Sequence, residues 1–308
     1  MRLNRHPIQY EGECDLNHLL DEADKLGGGR VQVPERTSDP VRHFNLVGPP
    51  FADNVNPDVF FRTEAHEEAF LAMKRCIDEH VSLGLTTAIS GTGKTLLTQV
   101  IIHELDPRLF QTVLVLAHPG MSRTGLLKEI AAELGLPDLP KRPSTHALIS
   151  AIQGHIINLY LKGMRLVLII DEVHFLGADT LHILRTLSNI EVPEQKLVTV
   201  LLFGEQSFLK KVRQPAFKSV FSRMFARTEL RPLHRSEIDQ YVKFRILLVG
   251  GRPNLIEPDL FDELYAYSGG IPREINRICH NALTLAARRG EPSIGAHTLT
   301  RLKQDKRI

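Results

Sequence analysis

Residues 88–95 read Ala-Ile-Ser-Gly-Thr-Gly-Lys-Thr, and about 75 residues downstream the chain runs Leu-Val-Leu-Ile-Ile-Asp-Glu over 166–172. The first stretch has the composition of a loop that wraps phosphate. Gly91 and Gly93 let backbone N–H groups approach anionic oxygens with no Cβ in the way. Lys94 reaches the β- and γ-phosphates and is a catalytic candidate, while the Thr95 hydroxyl can ligate Mg2+. Candidate ATP contacts therefore run through Ser90, Gly91, Thr92, Gly93, Lys94, Thr95 and Leu96. The usual pattern begins with Gly where this chain has Ala88, a difference of one methyl at the end of a strand. The second stretch supplies acid chemistry. Asp171, ending an apolar run, is placed for the metal shell, and Glu172 can orient or deprotonate an attacking water.

These groups work only if the elements around them bring two distant segments together. The β-branched and apolar runs at 85–89, 111–117, 166–171 and 197–203 predict strands. Helical spacing predicts helices at 64–80, 94–105, 123–134, 145–161 and 178–189 between them. Strands alternating with helices imply a mostly parallel sheet with helices on both faces, whose ligands sit beyond the carboxyl ends of the strands. Both chemical segments fall at such ends. Past Leu233 the pattern is helical only, with Ser236 as the expected N-cap of a helix over 237–248 and further helices at 258–267, 272–288 and 297–303. Gly250-Gly251 and Gly269-Gly270 read as helix stops. Residues 1–42 form an expected N-terminal extension, partly disordered, with one short helix at 16–25.

Composition narrows the class. A chain of 308 residues, 43% of them hydrophobic, can bury one α/β core and a small appendage. Cys14, Cys76 and Cys279 are far apart and form no ligand-spaced pair, which argues against a disulfide framework or a zinc site. The N-terminus lacks a signal-peptide core, and no apolar run nears the roughly 18 residues that span a bilayer, so the expected location is cytoplasmic. Net charge is only +2, yet residues 205–235 carry eight basic side chains against Glu205 and Glu229. They are Lys210, Lys211, Arg213, Lys218, Arg223, Arg227, Arg231 and Arg235, a concentration that could meet a polyanion or another subunit. His174, alone after the acid pair and without a partner at metal-ligand spacing, reads as structural.

Several blocks outside the phosphate loop carry a resemblance. They include Phe60-Phe-Arg-Thr-Glu-Ala-His66-Glu-Glu-Ala69, Leu184-Arg-Thr-Leu-Ser-Asn189 and Gly269-Gly-Ile-Pro-Arg-Glu-Ile-Asn-Arg277. Over 43–300 the chain resembles the AAA+ ATPases of the ExeA type, whose clade takes in pilus and secretion ATPases and the transposition regulators TnsC and MuB. The resemblance implies an AAA+ P-loop NTPase core over 43–233, a parallel sheet sandwiched by helices, and a small helical lid domain with a basic tail over 234–308. It implies a Mg2+-dependent ATPase. It places Arg223 as a finger entering a neighbour's site, with Arg227 as fallback, and Arg273 as the lid arginine that reports the γ-phosphate, with Arg277 one turn on. The first sensor is Glu205 or Gln206. Secretion relatives add a membrane span and a peptidoglycan-binding region, and this chain ends at Ile308 with neither. The expected role is therefore an oligomerising, DNA-binding transposition regulator that partners itself, duplex DNA and a transposase. The alternative is a cytoplasmic ATPase whose partners are secretion or pilus-assembly proteins.

Overall fold

The computed structural model describes residues 39–136 and 143–304. The helix expected at 16–25, the disorder expected of the extension, and Cys14, Lys306 and Arg307 lie outside them. The described residues form two compact units, one of 53–233 with 269–274, the other of 39–52, 234–268 and 275–304.

The first unit is built on a five-stranded parallel sheet of β1 (Leu83–Ala88), β2 (Phe110–Leu116), β3 (Arg165–Asp171), β4 (Val198–Glu205) and β5 (Met224–Leu230), in the order β2-β3-β4-β1-β5. Its helices are α1 (Glu64–Asp78), α2 (Lys94–Glu104), α3 (Arg123–Glu133), α4 (Thr145–Leu161) and α5 (Ala178–Leu187). Caps set where several of them start. Thr63 accepts the His66 N–H, Ser122 that of Gly125 and Ser144 that of Ala147. Ala69, Phe70, Met73, Cys76 and Ile77 recur at helical spacing, so α1 buries one stripe against the sheet.

Strand β3 is buried throughout from Leu166 to Asp171, as a central parallel strand covered on both faces must be. Leu166, Leu168 and Ile170 join the core that holds α3, α4 and α5. Val167 and Ile169 join the other core, with α1 and α2. Because side chains alternate along a strand, Asp171 follows Val167 and Ile169 onto the α2 side. The expected strand at 85–89 in fact starts at Leu83 and stops at Ala88, leaving Ile89 partly exposed in the loop.

The second unit holds α6 (Arg235–Leu247), α7 (Phe261–Ser268), most of α8 (Pro272–Arg289) and α9 (Ala296–Gln304). By packing, 39–52 group with the helices that follow 233, and 269–274 group with the sheet unit. Buried Arg245 donates to the carbonyls of Pro50 at 2.7 Å and Ala52 at 2.9 Å, which ties 39–52 to the helices. The N-cap also differs from expectation. The Glu237 carboxylate accepts the His234 backbone N–H at 2.7 Å, which fixes His234 as the cap and puts Ser236 inside the first turn.

Candidate nucleotide site

The loop from Ile89 to Gly93 connects β1 to α2 at the carboxyl edge of the sheet. Gly91 and Gly93 have φ of 86° and 104°, conformations that favour glycine. Gly91 has a second reason to lack a side chain, since a Cβ there would stand 3.0 Å from both Arg273 Cβ and Ile271 Cγ2. Thr92 closes the turn by donating through Oγ1 to the Ile89 carbonyl at 2.8 Å. Gly93 caps α2, whose first turn holds no acidic residue, so the positive end of the helix dipole is left for an anion.

Lys94 is only 6% exposed and makes no side-chain hydrogen bond or ion pair with the described residues. No described acidic side chain is spent on it, so its charge is free to meet an anion at the loop. Beside it, Thr95 Oγ1 donates to Asp171 Oδ2 at 2.9 Å, joining the two segments that sequence reading paired. Asp171 also accepts the Glu172 N–H through Oδ1 at 2.8 Å. Glu172 itself takes a left-handed φ of 55°, a strained turn for a residue with a Cβ, and the chain then enters a short 3-10 turn, Val173–Phe175.

Arg273 sits over the phosphate loop. Its backbone N–H donates to the Gly91 carbonyl at 3.2 Å and its guanidinium to Ser90 Oγ at 3.4 Å, with Asp53 Oδ2 at 3.7 Å. It belongs to the sheet unit, whereas Arg277 belongs to the helical one.

Residues 77–212 match the family model described as an AAA domain. The chain is 32% identical over 251 residues to general secretion pathway protein A of Aeromonas hydrophila, a match that covers 82% of this chain and 45% of that protein. Among solved structures, the ORC2 protein of Aeropyrum pernix in ADPNP and ADP complexes matches with a TM-score of 0.65 at 18% identity, over 83% of this chain and 70% of that one. Cdc6p of Pyrobaculum aerophilum matches with a TM-score of 0.68 at 15% identity, over 84% and 71%. At those identities the structures establish the fold. The chain belongs to the AAA+ ATPases of the ExeA type. It spans less than half the length of the curated relative it matches.

In this AAA+ frame the remaining candidates separate cleanly. Arg223 directly precedes β5, and the register pairs Met224 with Leu83, the first residue of β1, while the phosphate loop follows Ala88, the last. Six residues of strand at about 3.3 Å each put roughly 20 Å between Arg223 and the phosphate loop of its own chain. Arg223 is exposed there and donates to Asn189 Oδ1 at 2.5 Å, while Arg227 stacks its guanidinium 4.5 Å from the Phe221 ring centre. Of the two first-sensor candidates, Gln206 is bound to Glu229, whereas the Glu205 carboxylate faces the His174 ring.

The basic run of 205–235 does not act as one surface. Lys211 turns inward to the carbonyls of His174 and Leu176, at 2.9 and 2.8 Å, and partial burial lowers its pKa. Arg231 pairs with Glu68 at 3.9 Å and Arg235 with Asp262. Lys210, Arg213 and Lys218 stay exposed with no side-chain hydrogen bond or ion pair among the described residues. In the expected basic tail, Lys303 is engaged with Glu263 at 3.3 Å and with Tyr267.

One contact to the loop carries no sequence signal. His66 is buried, and its Nε2 lies 3.0 Å from the Thr92 carbonyl while Nδ1 lies 2.8 Å from Thr63 Oγ1. A carbonyl only accepts, so Nε2 carries a proton and donates it, while Nδ1 pairs with the Thr63 hydroxyl. Gly93 leaves room for this ring, since a Cβ there would stand 3.1 Å from Nε2. The sequence places His66 one turn into α1, but its partner is 26 residues away and only the fold joins them.

Proposed function

We propose that this AAA+ ATPase hydrolyses ATP at a site shared between adjoining copies of itself, and that nucleotide state governs their assembly. The observation that carries the first half is Lys94 at the start of α2, only 6% exposed and with no side-chain partner among the described residues, next to the Thr95–Asp171 pair. Ser90 to Leu96 then surround the phosphates. Mg2+ suits the hard oxygen donors of Thr95 and Asp171, and when bound it would neutralise charge on the phosphate tail. Glu172 orients or deprotonates the water that attacks the γ-phosphorus as the bond to ADP breaks. Arg273, close to Ser90 and Gly91, answers the terminal phosphate. The second half rests on Arg223, too far from its own phosphate loop to act there and exposed for a neighbour's. A guanidinium supplied in trans is worth about 10³ to 10⁵ in turnover.

For the wider role, duplex DNA in transposition target selection is the first reading. It is supported by the exposed Lys210, Arg213 and Lys218, whose phosphate contacts would be independent of base sequence. A secretion or pilus-assembly role is the second, supported by the relative named for general secretion. No helix among the described residues is long and apolar enough to cross a membrane.

Retention on random duplex DNA separates the two. The DNA reading expects binding that needs ATP, weakens about tenfold or more between 50 and 200 mM salt, and falls further when Lys210, Arg213 and Lys218 become Ala together. Binding indifferent to ATP and salt removes the DNA role and leaves the secretion one.

A further inference from the structure

Asn189 accepts the hydrogen bond that the Arg223 guanidinium donates, with Nη1 2.5 Å from its Oδ1 across 34 residues of chain. Its backbone is fixed by the turn that ends α5. Ser188, fully buried, gives its N–H to the Leu184 carbonyl at 2.9 Å, and Asn189 gives its own to that of Thr186 at 3.2 Å. Ile190 then donates to Leu187 at 3.1 Å and accepts from Leu197, the residue before β4, at 3.0 Å. A short side chain on a backbone tied on both sides makes a fixed acceptor.

Arg223 combines a tied backbone with an exposed side chain. Its N–H reaches the Val220 carbonyl at 3.1 Å, and both Val220 and Met224 are buried. The bond to Asn189 is the one side-chain hydrogen bond or ion pair that Arg223 makes among the described residues. A guanidinium has five N–H donors, so the rest stay available to an incoming anion. The chemistry of the acceptor matters as well. An amide oxygen is neutral, so it aims the guanidinium and leaves its positive charge whole, whereas a carboxylate in the same place would pair with that charge and compete with a phosphate for it.

We propose that Asn189 is a positioning residue for hydrolysis in the adjoining copy, one that holds the Arg223 guanidinium aimed and fully charged before it meets the neighbour's nucleotide. This rests on the reading of Arg223 as a finger supplied in trans. An exposed arginine samples many rotamers, and fixing it beforehand lowers the entropy lost when it engages the transferring phosphoryl group. In the sequence Asn189 is only the last residue of an expected helix, and its tie to Arg223 comes from the fold.

The test is steady-state ATP hydrolysis by the full chain, with ATP affinity measured alongside. Asn189→Ala is expected to lower kcat about fivefold or more, with KM and ATP affinity within about twofold. Asn189→Asp keeps an acceptor oxygen but sets a carboxylate against the guanidinium, and is expected to lower kcat at least tenfold. In an Arg223→Ala background neither substitution is expected to add a loss. Mixing shows which copy carries the defect: Asn189→Asp subunits should regain part of the activity with Glu172→Gln subunits and none with Arg223→Ala subunits. Wild-type kcat in Asn189→Asp, a loss that follows ATP affinity, additivity with Arg223→Ala, or recovery on mixing with Arg223→Ala overturns the proposal. Should one Asn189 variant not fold, the other decides by the same readouts. If Arg223→Ala leaves turnover intact, the reading of Arg223 falls first; if Arg223→Ala stalls turnover and the Asn189 variants do not lower it, only this proposal falls.

Discussion

The two ends of the parallel sheet are built differently. At the carboxyl end, two glycines with positive φ, a helix N-terminus, a buried ammonium and the Thr95–Asp171 pair crowd into one place. At the amino end, Arg223 stands exposed beside His80, Val81, Ser82, Lys196 and Phe225, with Asn189 as its side-chain partner. One end is the proposed seat of a phosphate chain and the other exposes a guanidinium held by Asn189. A parallel sheet keeps such ends a strand length apart, so a reaction that needs both must join two molecules. The proposed shared site follows from that geometry.

The comparison can be broken at either end. The largest effect is expected for Lys94→Ala, which should weaken ATP binding on the order of 100-fold or more, since it removes the ammonium proposed to reach the β- and γ-phosphates. Calorimetric titration with ATP reads it, and retained micromolar affinity would show that the buried ammonium faces something else. Next is Arg223→Ala, expected to cut turnover by about 10³ with ATP binding intact. Mixing Arg223→Ala subunits with Glu172→Gln subunits should recover part of the activity, because one face in the mixture then carries an intact arginine against an intact glutamate. Strictly additive loss at every mixing ratio would place both groups in one molecule's site. Glu172→Gln alone is expected to slow hydrolysis by about 10² or more while binding persists and oligomers lengthen their lifetime, read by phosphate release and size-exclusion chromatography.

What the sequence made legible follows the same division. The carboxyl end could be read because its chemistry is local: Gly91 to Thr95 is one loop, and Leu166 to Asp171 is one strand whose alternation fixes the face of its last residue. The α/β class and its parallel sheet were readable for a similar reason, as long apolar runs and helical spacing declare themselves, whereas the order of the strands was not called. Contacts between distant segments were not. Lys211 counts as a surface charge in any linear tally, yet it is turned onto two carbonyls of the acid turn. That Glu205 faces the His174 ring and Gln206 binds Glu229 likewise has no signal in the linear order. The grouping of 39–52 with the helical unit depends on Arg245, nearly 200 residues away.

The smallest expected effect sharpens the carboxyl end itself. His66 donates to the Thr92 carbonyl and shares a hydrogen bond with Thr63, the residue that caps α1, so helix start and phosphate loop share one buried ring. If the ring only completes the cap, Thr63→Ala and His66→Ala should lower the melting temperature alike and leave ATP affinity alone. If it also fixes the loop, His66→Ala should weaken ATP binding about tenfold, or ~1.4 kcal/mol, because the Thr92 carbonyl loses its partner and the adjoining N–H groups lose their aim. His66→Gln can still reach that carbonyl with its amide nitrogen and should restore much of the affinity without restoring the cap. Thr63→Ala, which keeps the Nε2 contact, should cost stability of about 1 kcal/mol and little affinity. Equal affinity in all three variants would assign the ring to the helix alone and leave the glycines and Lys94 as the loop's sole determinants.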